Sequence, residues 1–136
     1  MKDLYSSYRS THVVKPQVVT SAAANGTGTD LLGYAGVLMV AHTGASGALL
    51  GGSNLVTIQF LESSNNTVFS AMADTDLIGG NNTQVVDANG EANTTYQRGY
   101  IGSARYVTIT FTNTGTVSLP VAAAVVKGIP IHAPIA

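Results

Sequence analysis

The clearest pattern in this chain is a strict alternation of apolar and polar residues over residues 106 to 112. Val107, Ile109 and Phe111 occupy every second position, and tyrosine and threonine residues lie around them. Alternation with a period of two, in β-branched and aromatic residues, is typical of a strand that buries one face. The pattern therefore predicts a half-buried strand here, followed by a more continuously apolar strand over residues 117 to 126.

The linker between these two strands reads Asn-Thr-Gly-Thr and contains Gly115. Glycine adopts a positive φ without steric cost, and tight turns often require one. We therefore expect the two strands to form a hairpin at the centre of the core. Asn89-Gly90 is a second hairpin signal, and it is expected to join strands over residues 83 to 86 and 94 to 101.

Residues 54 to 62 repeat the alternation. Three apolar residues share one face, and the two polar residues between them lie on the opposite face. No segment of the sequence shows the periodicity of an amphipathic helix. Several short strands separated by turn-forming residues are typical of a β-sandwich or a β-barrel. The sequence therefore predicts an all-β fold, and the predicted core consists of Val56, Ile58, Phe60, Val107, Ile109, Phe111, Val121 and Val125.

The two ends of the chain lack the alternation of its body. Residues 1 to 15 are polar with scattered tyrosines, and they precede Pro16, which fixes φ and removes a hydrogen-bond donor. Residues 129 to 136 are apolar and include two prolines. We expect an N-terminal arm over residues 1 to 15, a β-sandwich domain over residues 16 to 128 and an extended tail over residues 129 to 136. The arm is expected to contact other subunits, and the sandwich to fold without it.

Charged residues make up only 10% of the 136-residue chain, against about 25% in typical globular domains. Threonine, asparagine, serine and glycine replace them, which suggests that neighbouring molecules cover much of the exterior. Residues 16 to 97 contain no lysine or arginine and hold six of the seven acidic residues. This segregation favours a head-to-tail contact between an acidic body and the basic N-terminal arm, or it reflects chance in a charge-poor chain.

Residues with catalytic or metal-binding chemistry are few and poorly spaced. The chain has no cysteine, and His12, His42 and His132 lack partners at metal-ligand spacing. Turn chemistry explains Asp74-Thr-Asp76 and Asp87-Ala-Asn89-Gly90 better than an incomplete calcium loop does. We therefore expect a protein that is not an enzyme and that has no metal and no cofactor.

Tyr100, Arg105 and Tyr106 could form an aromatic and cationic cluster for a sugar or a nucleic acid, but such residues more often pack at strand ends or subunit interfaces. The basic residues are too few for a nucleic-acid footprint, so no nucleic-acid partner is expected. The glycines and polar residues of residues 31 to 50 argue against a membrane helix, so no membrane partner is expected either.

Three stretches of the chain resemble small head proteins of tailed bacteriophages that decorate or cement the capsid. The first is the opening Met-Lys-Asp-Leu-Tyr. The second is Leu-Val-Thr-Ile-Gln-Phe-Leu-Glu-Ser-Ser over residues 55 to 64, followed by Phe69 and by Asp-Leu-Ile-Gly-Gly over residues 76 to 80. The third is Gly-Tyr-Ile-Gly-Ser-Ala-Arg-Tyr-Val over residues 99 to 107. Threonines stand at positions 108 and 110, where that family usually carries charged residues.

This resemblance implies a jelly-roll-like β-sandwich of about eight strands that assembles as a homotrimer and binds the major capsid protein. It places the chain on the capsid exterior of a virion, bridging neighbouring capsid subunits, after synthesis in the host cytoplasm. A carbohydrate-binding β-sandwich and a tail or neck component of a phage are the alternatives. The residues expected to bind partners are Tyr5, Tyr8, Arg9, Tyr100 and Arg105.

Overall fold

The computed structural model describes residues 3 to 131, so the last part of the predicted tail lies outside the described residues. The described chain forms two antiparallel sheets. Sheet A consists, in spatial order, of β1 (Tyr8–Val19), β11 (Leu119–Pro130), β4 (Tyr34–Thr43), β9 (Thr95–Tyr100) and β7 (Leu77–Ile78). Sheet B consists of β2 (Ala24–Asn25), β3 (Thr29–Asp30), β10 (Tyr106–Thr114), β5 (Leu55–Ser63), β6 (Ser70–Ala71) and β8 (Thr83–Val86).

The strand order of the two sheets is that of a jelly roll. In sheet B, β2 and β3 pair with successive parts of β10, and β8 and β6 pair with successive parts of β5. Each of these pairs therefore acts as one interrupted strand. With the edge strand β7 set aside, eight strands remain, in the order 1-8-3-6 in one sheet and 2-7-4-5 in the other. The predicted all-β, jelly-roll-like sandwich of about eight strands is confirmed.

The core lies between the two sheets and contains every residue predicted for it. The side chains of Phe60 and Phe111 on sheet B are completely buried, as is that of Met39 on sheet A. Full burial of a large apolar side chain contributes roughly 1.5–3 kcal/mol to the free energy of unfolding. The predicted core residues found buried are Val56, Ile58, Phe60, Val107, Ile109, Phe111, Val121 and Val125.

The predicted hairpin between β10 and β11 is wrong. β10 already has neighbours on both sides in sheet B, and β11 has neighbours on both sides in sheet A. The linker therefore crosses from one sheet to the other. Gly115 has a φ of +69° there, which confirms the predicted positive φ. The hairpin predicted at Asn89-Gly90 is wrong for the same reason. Asn89–Glu91 is a short 3-10 turn that connects β8 of sheet B to β9 of sheet A.

The predicted boundary between an arm and a domain at residue 16 falls inside β1. This strand begins at Tyr8 and pairs with β11 as far as Val19. Its register shifts between His12 and Val14 and again between Val14 and Gln17, so bulges interrupt the alternation that would have revealed it. Likewise, β11 extends to Pro130, into the segment expected to be a tail.

Candidate interaction surface

The outer face of sheet A, opposite the core, is apolar where a solvated sheet would be polar. Directly paired residues of neighbouring strands point to the same face. One such row crosses the whole sheet: Ser10 pairs with Val126, Val126 with Leu38, Leu38 with Gly99, and Gly99 with Ile78. The next rows contain His12, Ala124, Val40 and Gln97, then Ala122, His42 and Thr95, and finally Val18 and Pro120. We call this surface the sheet-A face; Tyr8 and Ile129 complete it at one end.

Three glycines lie on this face, and larger side chains from neighbouring strands cover them. The ring of Tyr8 lies against Gly128, its pairing partner on β11. A Cβ atom on Gly36 would lie 3.1 Å from Cδ1 of Ile129. Ile129 itself has a φ of +51°, which is rare for a β-branched residue and marks local backbone strain. The strained residue is 65% exposed, so its apolar side chain is held over the face and remains accessible.

The polar residues on the central strands of the face carry no fixed charge. Nδ1 of His42 lies 3.1 Å from Oγ1 of Thr95, and both groups can act as donor or acceptor. Arg9 and Lys127, which pair with each other, alternate to the opposite side of the sheet. Lys15 is exposed on the edge strand β1, within its second register shift. In the central strands β11, β4 and β9, the face therefore combines apolar and neutral polar groups only.

The outer face of sheet B provides the contrast within the same molecule. Thr112 pairs with Thr57, Thr110 with Gln59, and Gln59 with Thr83, so this face is dominated by hydroxyl and amide groups. Such a polar outer face is usual for an antiparallel sheet with one side in solvent. By this comparison, sheet A has the composition of a sheet that is covered on both sides.

Of the five residues expected to bind partners, only Tyr8 lies on the sheet-A face. Tyr8 is 46% exposed. Tyr5 is 89% exposed in the turn before β1, where its backbone N–H donates to the carboxylate of Asp3 at 2.9 Å. Arg9 is exposed at the start of β1. The structure thus assigns these three residues to the outer strand of sheet A and the turn that precedes it.

Tyr100 is buried and links the two sheets at one end of the sandwich. Its hydroxyl donates to Oε2 of Glu62 on β5 and accepts from the N–H of Ala104 at 3.0 Å. Burial and the hydrogen bond to Glu62 raise the pKa of Tyr100 to about 12. Gly102 packs so closely against the phenol that a Cβ atom would lie 2.5 Å from its oxygen. Tyr100 therefore helps to close the sandwich, and only 5% of its surface is exposed.

Arg105 is tied to Asp30 by a two-pronged ion pair. Its Nε and one terminal nitrogen donate to the two carboxylate oxygens at 3.0 and 2.8 Å. These hydrogen bonds lower the pKa of Asp30 to about 2. The guanidinium also lies over the ring of Tyr106, 5.2 Å from its centroid. The positive charge of Arg105 is thus already matched within the chain.

Tyr100 and Arg105 line one open cavity of about 490 Å³ at this end of the sandwich. The remaining lining is largely aliphatic and includes Leu32, Ile101 and Ile131, all more than 60% exposed. A second, polar cavity of about 380 Å³ lies beside it and contains the carboxylates of Glu62 and Asp76 among serines. Among the described residues, no group of three or more His, Cys, Asp or Glu side chains is placed to hold a metal ion. No helix within residues 3 to 131 has the length and apolar character needed to cross a membrane.

The sheet-A face was not predicted from the sequence, although a signal for it was present. Residues 121 to 126 read Val-Ala-Ala-Ala-Val-Val, and residues 37 to 41 read Val-Leu-Met-Val-Ala. A strand with apolar residues on both faces is typical of a sheet that is covered on both sides. These two runs are the central parts of β11 and β4, the middle strands of the face.

Comparison with protein-family models and with curated proteins gives no match. Among solved structures, the PBSX exported protein XepA superposes with a TM-score of 0.58 and 17% identity, over 88% of this chain and 37% of that chain. This chain therefore spans little more than a third of XepA. A protein of the disulfide-linked Bacillus endospore appendages gives a TM-score of 0.49 and 14% identity, over 91% of this chain and 89% of that one. The SPBc2 prophage-derived protein YomS gives a TM-score of 0.48 and 12% identity, over 89% of this chain and 93% of that one. At such identities the likeness to XepA shows the fold alone.

Proposed function

We propose that this chain is a structural protein of a tailed-bacteriophage virion that decorates the capsid exterior and holds neighbouring capsid subunits together. One observation carries the proposal: a jelly roll presents a broad, largely apolar outer face on sheet A, and the central strands of this face carry no charge. Exposed apolar surface of this extent on a soluble domain marks an interaction site. A structural role uses such a face directly, without an enzymatic site.

The stretches that resemble capsid-decorating proteins meet at one place in the fold. Residues 55 to 64 form β5 and its end, and residues 99 to 107 include the end of β9 and the start of β10. The hydrogen bond between Glu62 and Tyr100 joins the two, and Leu77 of the Asp-Leu-Ile-Gly-Gly segment pairs with Tyr100. These motifs therefore build the closed end of the sandwich, which supports a shared fold with that family.

In the proposed assembly, the chain is a homotrimer bound to the major capsid protein where capsomers meet. The low content of charged residues fits a molecule that is largely covered by neighbours, since interface cores are depleted in charge. It also fits assembly from neutral surfaces, because fixed charges that lose solvent without a partner are costly.

The direct test is binding of the purified chain to phage particles that lack it. Heads and tails from a phage with the gene deleted are separated and incubated with the protein, and bound protein is measured by co-sedimentation. We expect saturable binding to heads and none to tails. Saturable binding to tails alone would replace the proposal with a tail or neck role. No binding to either, by protein that is folded and oligomeric, would overturn it.

A further inference from the structure

We propose that the N-terminal turn of one copy of this chain binds in the apolar cavity at the end of the next copy, so that three copies form a ring. The N-terminal turn is residues 3 to 7, and the end cavity is the open cavity lined by Leu32, Ile101 and Ile131. The inference rests on the proposed function, because it gives the homotrimer of that proposal its contact. It leaves the sheet-A face to the capsid.

The N-terminal turn presents two large apolar side chains to solvent on an ordered backbone. Leu4 is 67% exposed and Tyr5 is 89% exposed. The carbonyl oxygen of Leu4 accepts from the N–H groups of Ser7 and Tyr8 at 3.1 Å each, and the carboxylate of Asp3 accepts from the N–H of Tyr5. A segment that is already ordered loses less conformational freedom when it binds. The turn therefore has the form of a ligand that is ready to dock.

The end cavity matches the turn in size and chemistry. Its volume of about 490 Å³ lies within the range of sites that hold drug-sized ligands, so it has room for the side chains of a tyrosine and a leucine. Its three aliphatic lining residues are exposed, and burying them against the turn removes apolar surface from water on both partners. Ser103 in the lining offers a hydroxyl group to the phenol of Tyr5.

The charges beside the turn and the cavity are complementary. Ser103 and Ala104 line both the end cavity and the polar cavity, so the two cavities adjoin. Among residues 3 to 131, the lining of the polar cavity contains the carboxylates of Glu62 and Asp76 and neither lysine nor arginine. Arg9 is exposed two residues after the turn, within about 7 Å along the chain. Docking of the turn therefore brings a guanidinium towards two carboxylates.

The cations near the end cavity are already engaged within their own chain. Arg105 pairs with the carboxylate of Asp30. Nζ of Lys127 donates to the backbone carbonyl oxygen of Asp30 at 3.1 Å and lies over the ring of Tyr34, 4.7 Å from its centroid. Within residues 3 to 131, in contrast, the carboxylates of the polar cavity form no salt bridge. A cation supplied by a second copy therefore has a partner that the chain itself does not provide.

The turn and the cavity lie at the same end of the sandwich but on different strands. Tyr8, which follows the turn, pairs with Gly128 on β11, and Gly128 pairs with Gly36 near the start of β4. Tyr34, at the start of β4, lines the end cavity. A contact between two different patches is head-to-tail, and it forms a ring when the rotation closes. In a ring of three, every copy inserts one turn and receives another.

The first test measures the mass of the chain by size exclusion with light scattering over a range of micromolar concentrations. The wild type is expected at about three times its 13.9 kDa chain mass. Tyr5→Asp and Ile101→Asp each place a new charge in the contact. Each is expected to raise the midpoint concentration for dissociation at least about tenfold, because a charge buried without a partner is costly.

A matched control separates the contact from general effects of these substitutions. Leu49→Asp makes the same change at an 80% exposed leucine in the loop after β4, at the other end of this strand, and should leave the mass unchanged. Circular dichroism spectra identical to the wild type show that each variant is folded. Because the turn precedes β1 and adds nothing to the core, its loss should affect the assembly and not the folding of the sandwich.

Cysteine cross-linking tests the head-to-tail direction. The chain has no cysteine, so introduced cysteines report only on the designed contacts. With a mild oxidant, the double variant Tyr5→Cys, Ile101→Cys is expected to give disulfide-linked species of up to three chains on a non-reducing gel. A mixture of the two single variants should give linked pairs but no linked trimers, and each single variant alone should give neither. The control pair Tyr5→Cys, Leu49→Cys should not link.

Three results would overturn the inference. They are a wild type that stays monomeric, unchanged masses for both Tyr5→Asp and Ile101→Asp, and single cysteine variants that link as strongly as the double variant. Any of these would leave the proposed function standing if the same proteins still bound heads. Loss of head binding by the folded wild type would instead overturn the proposed function, so the two failures are distinguishable.

Discussion

At the scale of single residues, Tyr100 shows how a polar group holds the two sheets together. Its hydroxyl is a donor to Glu62 of sheet B and an acceptor from Ala104 of the loop that closes the sandwich. Gly102 packs against the ring of Tyr100. The sequence could not indicate that Tyr100 faces inward, because the partner carboxylate lies 38 residues away in the chain.

Replacement of Tyr100 by phenylalanine tests this link through its pH dependence. The folded chain holds the phenolic proton up to a pKa of about 12, whereas an unfolded tyrosine releases it near about 10. The stabilisation is therefore fully present below about pH 10 and is lost as the pH rises towards 12. We expect the free energy of unfolding of the wild type to fall more steeply over this window than that of Tyr100→Phe.

At neutral pH the same variant leaves Glu62 and the N–H of Ala104 without their partner, and it should lose about 1–3 kcal/mol of stability. Tyr5→Phe, which removes an exposed hydroxyl, is the matched control and should lose almost none. Equal alkaline slopes for the wild type and Tyr100→Phe in urea titrations would contradict the assignment.

Arg98 is a second residue whose role depends on contacts remote in sequence. It is 5% exposed, lies over the ring of Phe60 and donates to the carbonyl oxygens of Asn81 and Gln97 and to Oε1 of Gln84. Burial lowers the pKa of the guanidinium, but three hydrogen bonds hold its charge in the core.

Lysine cannot reproduce the planar fork that makes these bonds. We therefore expect Arg98→Lys to lose about 1.5–3 kcal/mol for each hydrogen bond that it cannot make. Chemical denaturation measures this loss directly. Arg9→Lys, at an exposed position on β1, is the matched control. A stability equal to that of the wild type would show that the fork is not needed.

At the scale of the elements, regular strands were predictable and irregular ones were not. β5 and β10 alternate without interruption, and their core residues were identified correctly. The first part of β1 falls within the predicted arm of residues 1 to 15, because this edge strand has two register shifts and mostly exposed residues. The pairing of strands also escaped prediction: short linkers suggested hairpins, but a jelly roll sends consecutive strands to opposite sheets.

Truncation of β1 tests its place in the sheet. Deletion of residues 3 to 12 removes the part of β1 that pairs with Ala124–Gly128 and leaves the edge of β11 open. We expect a clear loss of stability in urea, because the lost ladder also uncovers apolar surface beside the core. Deletion of residues 3 to 7, which precede β1, is the control and should change stability little. Equal urea midpoints for the two deletion variants would indicate that this segment is an arm that the sandwich does not need for its stability.

At the scale of the whole molecule, fixed charges lie at the ends and edges of the sandwich, and among the described residues the central strands of the sheet-A face carry none. The low charge content of the sequence suggests a covered exterior, but it does not indicate which surface is covered. That information lay in the unbroken apolar runs of β4 and β11, because such runs place apolar residues on both faces of the sheet. Tyr100 and Arg105, which the sequence predicts as binding residues, have hydrogen-bond partners within the chain.

The most direct test of the account is a cryo-electron microscopy reconstruction of phage heads assembled with and without this chain. The account predicts additional density on the outer surface of the head, at junctions between capsomers, in groups of three copies. Heads with identical outer surfaces in the two reconstructions, or density confined to the neck or tail, would contradict it.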